Sequence, residues 1–144
     1  MKTTKRKVKK YEAWLSPETM HKGSLNWLSE LRFAKDEQLF FDDLVKSYTL
    51  QLIDSKHFKE SKKIVDQLSA QQRETDVLID TIVDHEKELN IMVDGIDQLK
   101  EENAYKDEHG KLIIQVSLFL KNYRILKTEL FTLIKSIIKE GKQK

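Results

Sequence analysis

Three observations predict an all-α fold, an elongated antiparallel helical bundle of three long helices with coiled-coil-like packing. First, positions alternately four and three residues apart run His57, Ser61, Ile64, Leu68, Gln71, Thr75, Leu78, Ile82, His85, Leu89, Met92, Ile96 and Leu99. That spacing is the period of a helical seam packed against other helices. Second, charged residues make up 35% of the 144-residue chain, against one proline and four glycines. Such a composition suits helices with solvated faces and leaves little turn material for a sheet. Third, the segments on either side of the ladder carry apolar seams of the same period. The length suffices for one domain with a real core.

The same composition excludes several functions. Without cysteine there is no disulfide framework, thiolate metal site or cysteine nucleophile, which makes a reducing compartment the expected home. The basic N-terminus is not followed by an apolar signal core, and no apolar run reaches the roughly eighteen residues of a membrane span. A cytoplasmic protein is therefore expected. No Gly-rich phosphate loop, dinucleotide fingerprint or Ser/His/Asp nucleophile pattern occurs, so no enzyme activity and no cofactor are expected.

Residues 1–22 read as a basic N-terminal tail with a short helix, in which Pro17 takes the first turn and Ser16 the cap. Lys2, Lys5, Arg6, Lys7, Lys9 and Lys10 carry the tail's charge with no acid among the first ten residues. Such tails are commonly solvated; the functional alternative is an arm that contacts nucleic acid or an anionic surface.

The bundle proper is expected over 23–141. Gly23 and Ser24 read as a break, with Ser24 capping a first helix over about 24–53. Its seam is Trp27, Leu31, Ala34, Gln38, Phe41, Val45, Tyr48 and Leu52. Phe33 and Phe40 form a second aromatic row, and Glu30, Glu37 and Leu44 fall between the two rows on the helical wheel. Carboxylates inside an apolar arc need partners. The plain reading is a seam edge paired with Lys or Arg of a neighbouring helix; the sharper one is a metal site built from Glu30, Glu37 and His85. Di-iron bundles use two Glu-x-x-His motifs. Here that motif occurs once, at Glu18–His21, outside the first helix.

The junction at Asp54-Ser55-Lys56 leads into a second helix over about 57–103 that carries the ladder. Gln71–Thr75 and Gly95 weaken it, yet the register is the same on both sides, which favours continuity. Its residues Leu78, Ile82, Leu89, Met92, Ile96 and Leu99 are the expected interaction seam. His85 sits on that seam either as a register-fixing polar residue or as a ligand. Asn103 to Gly110 reads as the clearest turn. A third helix follows over about 111–140, with the seam Val116, Phe119, Tyr123, Leu126, Leu130, Leu133 and Ile137.

Unequal helix lengths predict two-helix ends with open apolar stripes, a partner surface that dimerisation would complete. The expected function is a non-enzymatic helical interaction or scaffolding protein, acting through coiled-coil self-association or a partner helix. The alternatives are nucleic-acid or anionic-surface binding through the basic arm, and a carboxylate/histidine metal-binding bundle.

Overall fold

The computed structural model describes residues 16–54, 56–94 and 99–142, the side chains of 93, 94, 99 and 142 excepted. Four helices occur in chain order: α1 (Pro17–Ser47), α2 (Thr49–Leu52), α3 (Phe58–Asp94) and α4 (Leu99–Lys142). No strand occurs among the described residues. The fold is an all-α helical bundle. The basic arm from Lys2 to Lys10, and Ile96 of the expected seam, lie outside the described residues, as does the side chain of Leu99.

α1 starts where Ser16 and Pro17 direct it. The Thr19 amide donates to Ser16 Oγ at 3.2 Å, so a hydroxyl satisfies one of the orphan donors of the first turn, while proline lacks its own. Gly23 and Ser24 do not break the helix, contrary to the sequence reading. Ser24 is fully buried, and the Gly23 Cα faces the His109 ring, which a built Cβ would approach at 3.7 Å. Packing on that face outweighs a glycine penalty of about 1 kcal/mol. The far end of α1 is closed by hydroxyls that bond to its last carbonyls, Ser47 Oγ to Asp43 O at 2.9 Å and Thr49 Oγ1 to Lys46 O at 2.9 Å.

Two further boundaries need correction. The second long helix is described to Asp94 and α4 from Leu99, so the stretch 99–103, expected at the end of the second helix, belongs to α4, and the expected continuity through Gly95 lies outside the described residues. The expected turn from Asn103 to Gly110 is helical throughout. The seam of α4 explains this, since Val116 is preceded at 4-3 spacing by Leu112, His109 and Tyr105, all buried. Burial of those three side chains overrides the weak helix propensity of Asn103 and Gly110.

The chain forms two compact units. One comprises Met1–Leu31 and Leu78–Val116, the other Arg32–Val77 and Ser117–Lys144. Each thus receives a segment from α1, α3 and α4. α1 starts at Pro17 and α4 at Leu99, both earlier than the sequence suggested, so all three long helices contribute to each unit. In the first unit Met20, Leu89 and Tyr105, one from each long helix, make a core cluster. In the second, Lys35–Asp76, Gln38–Thr75 and Asp42–Gln72 contacts set α1 antiparallel to α3. Ala34–Tyr123, Glu37–Lys127 and Phe41–Phe131 contacts set α1 parallel to α4.

The ladder is the spine of both cores. Every described rung from His57 to Met92 is buried or half-buried. Several of its polar rungs make hydrogen bonds, although the Ser61 hydroxyl is buried without a partner. Gln38 Nε2 donates to Thr75 Oγ1 at 2.9 Å, and Thr75 Oγ1 donates to Gln71 O at 2.7 Å. His57 Nε2 lies 3.0 Å from Glu140 Oε2, and Lys56 Nζ reaches the same carboxylate. Hydrogen bonds from His57 and Lys56 hold the Glu140 carboxyl below its ordinary range.

Candidate functional site

The densest polar chemistry lies in the first unit. His85 of α3 and His109 of α4 are both buried, and His85 Nε2 sits 2.9 Å from His109 Nδ1. Tyr105, one turn before His109, stacks flat on His85 with ring centroids 3.9 Å apart and planes within 3°. Trp27 of α1 stacks on the other histidine at 4.8 Å. Three helices therefore fix two imidazoles by ring packing and by one hydrogen bond. Burial lowers both pKa values, from 6.5 to about 4, and each ring also feels Glu86, which opposes the shift. Both rings are neutral at pH 7.

The outer side of the stack is lined with carboxylates. His85 Nδ1 is buried and has no hydrogen-bond partner; it points toward Glu108 Oε2 at 3.8 Å. Ligand atoms of His85, Glu88 and Glu108 all lie within 4.8 Å of one another. Partial burial, together with charge repulsion from and hydrogen bonding to Glu108, raises the Glu88 pKa. Glu88 and Glu108 also border a groove of about 310 Å³ whose other walls include Ile91, Met92 and Tyr105. The Tyr105 hydroxyl is buried without a hydrogen-bond partner, and its pKa is raised by burial and by the carboxylates Glu86, Glu108 and Glu88. On the α1 side, Glu86 takes a 2.6 Å contact from His21 Nδ1.

The metal candidates named from sequence do not make one site. Glu30 is exposed. Glu37 is half-buried and accepts from Tyr123 Oη at 3.2 Å and from Lys127 Nζ at 3.2 Å, the seam-edge pairing expected of it. Of the three candidates, only His85 belongs to the carboxylate cluster. Sequence reasoning missed Glu108, Tyr105 and His109 because the segment carrying them read as a turn. Continuing the α4 seam backward at 4-3 spacing would have found the last two.

The interaction seam needs a parallel correction. Leu78, Ile82 and Leu89 are buried inside the chain's own core, and Met92 packs against it. None of these three leucine and isoleucine side chains is open to a partner. A row of open aromatic side chains lies instead on the second unit. Phe33 and Phe40 of α1 are 64% and 57% exposed, and Phe131 and Ile138 of α4 are 48% and 39% exposed. Because α1 and α4 are parallel neighbours joined by the Glu37–Lys127 bridge, these side chains belong to one face, with Leu44 half-buried among them. On α4 the face opens into a groove of about 400 Å³ walled by Phe131, Ile134 and Ile138. No helix among the described residues is long and apolar enough to cross a membrane. Comparison of the chain with protein-family models, curated proteins and solved structures finds no match.

Proposed function

We propose that the chain is a non-enzymatic helical interaction protein that works by pairing with a second copy of itself. The observation that carries the reading is the α1–α4 face of the second unit, with Phe33, Phe40, Phe131 and Ile138 exposed on it. Large contiguous apolar faces on water-exposed helices are typical of docking surfaces. Four aromatic or branched side chains, each able to contribute on the order of 1–2 kcal/mol when buried, would offset part of the cost of association.

Charge favours a second copy as the occupant. Beyond the apolar row, the α1 edge carries exposed Asp36 and Asp43, whereas the α4 edge carries exposed Arg124 and Lys135. A two-fold axis along the helices places α1 of one copy against α4 of the other. Each acidic edge then meets a basic edge, at both rims of the contact. Isologous pairing of this kind is the commonest route to a soluble oligomer, and rim charges of this kind set register and orientation more than affinity.

Hydroxyl-radical footprinting across a concentration series tests this reading. Oxidation of Phe33, Phe40 and Phe131 is expected to fall together as the chain concentration rises, while exposed Ile91 and Ile114 of the first unit stay equally reactive. Unchanged oxidation of the three phenylalanines through the hundred-micromolar range would overturn self-pairing through this face.

A further inference from the structure

The structure assigns a divalent transition-metal site to His85, Glu88 and Glu108, independent of the self-pairing face. His85 and Glu88 are three residues apart on α3, so they project from one side of the helix. Glu108 reaches the same point from α4, and the three ligand atoms lie within 4.8 Å. Exposed carboxylates alone would mean little. The telling group is His85, 1% exposed, with its Nδ1 buried, unpaired and aimed at Glu108.

The surroundings fix that nitrogen for coordination. When His85 Nε2–H donates to His109 Nδ1, across 2.9 Å, the lone pair of His85 Nδ1 is left facing the carboxylates. A ligating histidine whose other nitrogen is held by a hydrogen bond is the usual outer arrangement of protein metal sites. Tyr105, stacked at 3.9 Å, stops the ring from turning away. With the opposite tautomer, the Nδ1 proton would point at Glu108 Oε2 from 3.8 Å, too far for a hydrogen bond.

The dimensions suit an ion of this class. Ligands held about 2.1 Å from a metal lie roughly 3–3.5 Å from one another. Closing the cluster from 4.8 Å needs a contraction of up to about 1.3–1.8 Å, which two exposed glutamates supply by rotamer change. One imidazole and two carboxylates suit zinc, cobalt, manganese or iron, and the nitrogen disfavours calcium and magnesium. Three protein ligands leave remaining positions to water on the groove side. A bound ion would clamp the last turns of α3 to the first turns of α4, on either side of residues 95–98.

Titration of the chelator-treated full chain with Co²⁺ and Zn²⁺ tests the site. One Co²⁺ per chain is expected, with visible d–d absorption. Glu88→Gln and Glu108→Gln, at exposed positions that spare the fold, should each weaken binding at least about ten-fold. His21→Gln should leave it unchanged. In ¹⁵N spectra Zn²⁺ should shift His85 Nδ1 rather than Nε2. No binding below millimolar Co²⁺, affinity unaltered in the Glu88→Gln/Glu108→Gln double variant, or a His85 Nδ1 resonance that does not move would each overturn the assignment.

Discussion

His85 Nε2 and His109 Nδ1 lie 2.9 Å apart in a buried stack, so one proton occupies the line between two neutral rings. A second proton on either ring would put a charge among the rings of Tyr105 and Trp27 with little water to solvate it. Burial is the main cause of the lowered pKa values, and for His109 the neighbouring His85 adds to it.

Stability of the metal-free chain should accordingly fall on acidification. The unfolded histidines take up protons near 6.5, whereas the folded ones do so only near 4. The unfolded state thus binds more protons between these values, and the stabilisation present above pH 6.5 is lost as pH falls toward 4. For the first ring to charge, that is about 3 kcal/mol. Glu88, with its raised pKa, acts in the opposite sense and trims the loss. Urea unfolding in the presence of chelator, from pH 7.5 to 4.5, checks this. A His85→Leu/His109→Leu variant should show a flatter profile.

The Gln38–Thr75 bond joins two fully buried side chains of α1 and α3. Thr75→Val leaves the Gln38 amide without its acceptor and should cost about 1–3 kcal/mol, while adding Gln38→Leu should restore most of the loss. A double-mutant cycle by chemical denaturation measures the coupling. Additive effects of the two substitutions would contradict the bond's role.

Phe40 and Phe41 are adjacent, yet they should behave oppositely. Phe41 is 2% exposed and touches Tyr123 and Phe131; Phe41→Ala should cost about 3–5 kcal/mol of folding stability. Phe40→Ala, at an exposed position, should change folding stability by less than about 0.5 kcal/mol but weaken self-pairing. Thermal unfolding at low chain concentration separates the two effects.

Gly23→Ala tests the continuity of α1. A methyl there would meet the His109 ring at 3.7 Å, an ordinary contact, and alanine is the better helix former by about 1 kcal/mol. The substitution should raise stability by up to that amount. A loss of stability would indicate that the chain turns at Gly23, as its sequence alone suggests.

The seams of this protein are written plainly in its residues. From His57 to Met92, and from Val116 to Ile137, each position chosen by 4-3 spacing proves buried or half-buried, because that period is what a helix needs to face its neighbours continuously. Helix ends are written less plainly. Ser16 and Pro17 act as start signals because their chemistry is local to the first turn. Gly23, Asn103 and Gly110 carry turn-like preferences of about 1 kcal/mol or less, which the burial of Met20, Tyr105 and His109 outweighs. The His85–Glu88 half of the candidate metal site lies on one helix and was accessible to a periodicity argument. Its partner Glu108 comes from another helix, and only the register between α3 and α4 brings it near. The Phe33–Phe40 row was recognised, but its exposure depends on where α4 packs, which spacing within α1 does not specify.

The solution mass of the chain tests the central claim of self-pairing most directly. Sedimentation equilibrium over a micromolar to hundred-micromolar series should approach twice the 17.0 kDa chain mass, and Phe40→Glu should return it to one chain while the helical circular dichroism is kept. A mass of 17.0 kDa for the wild-type chain across the whole series would contradict the account.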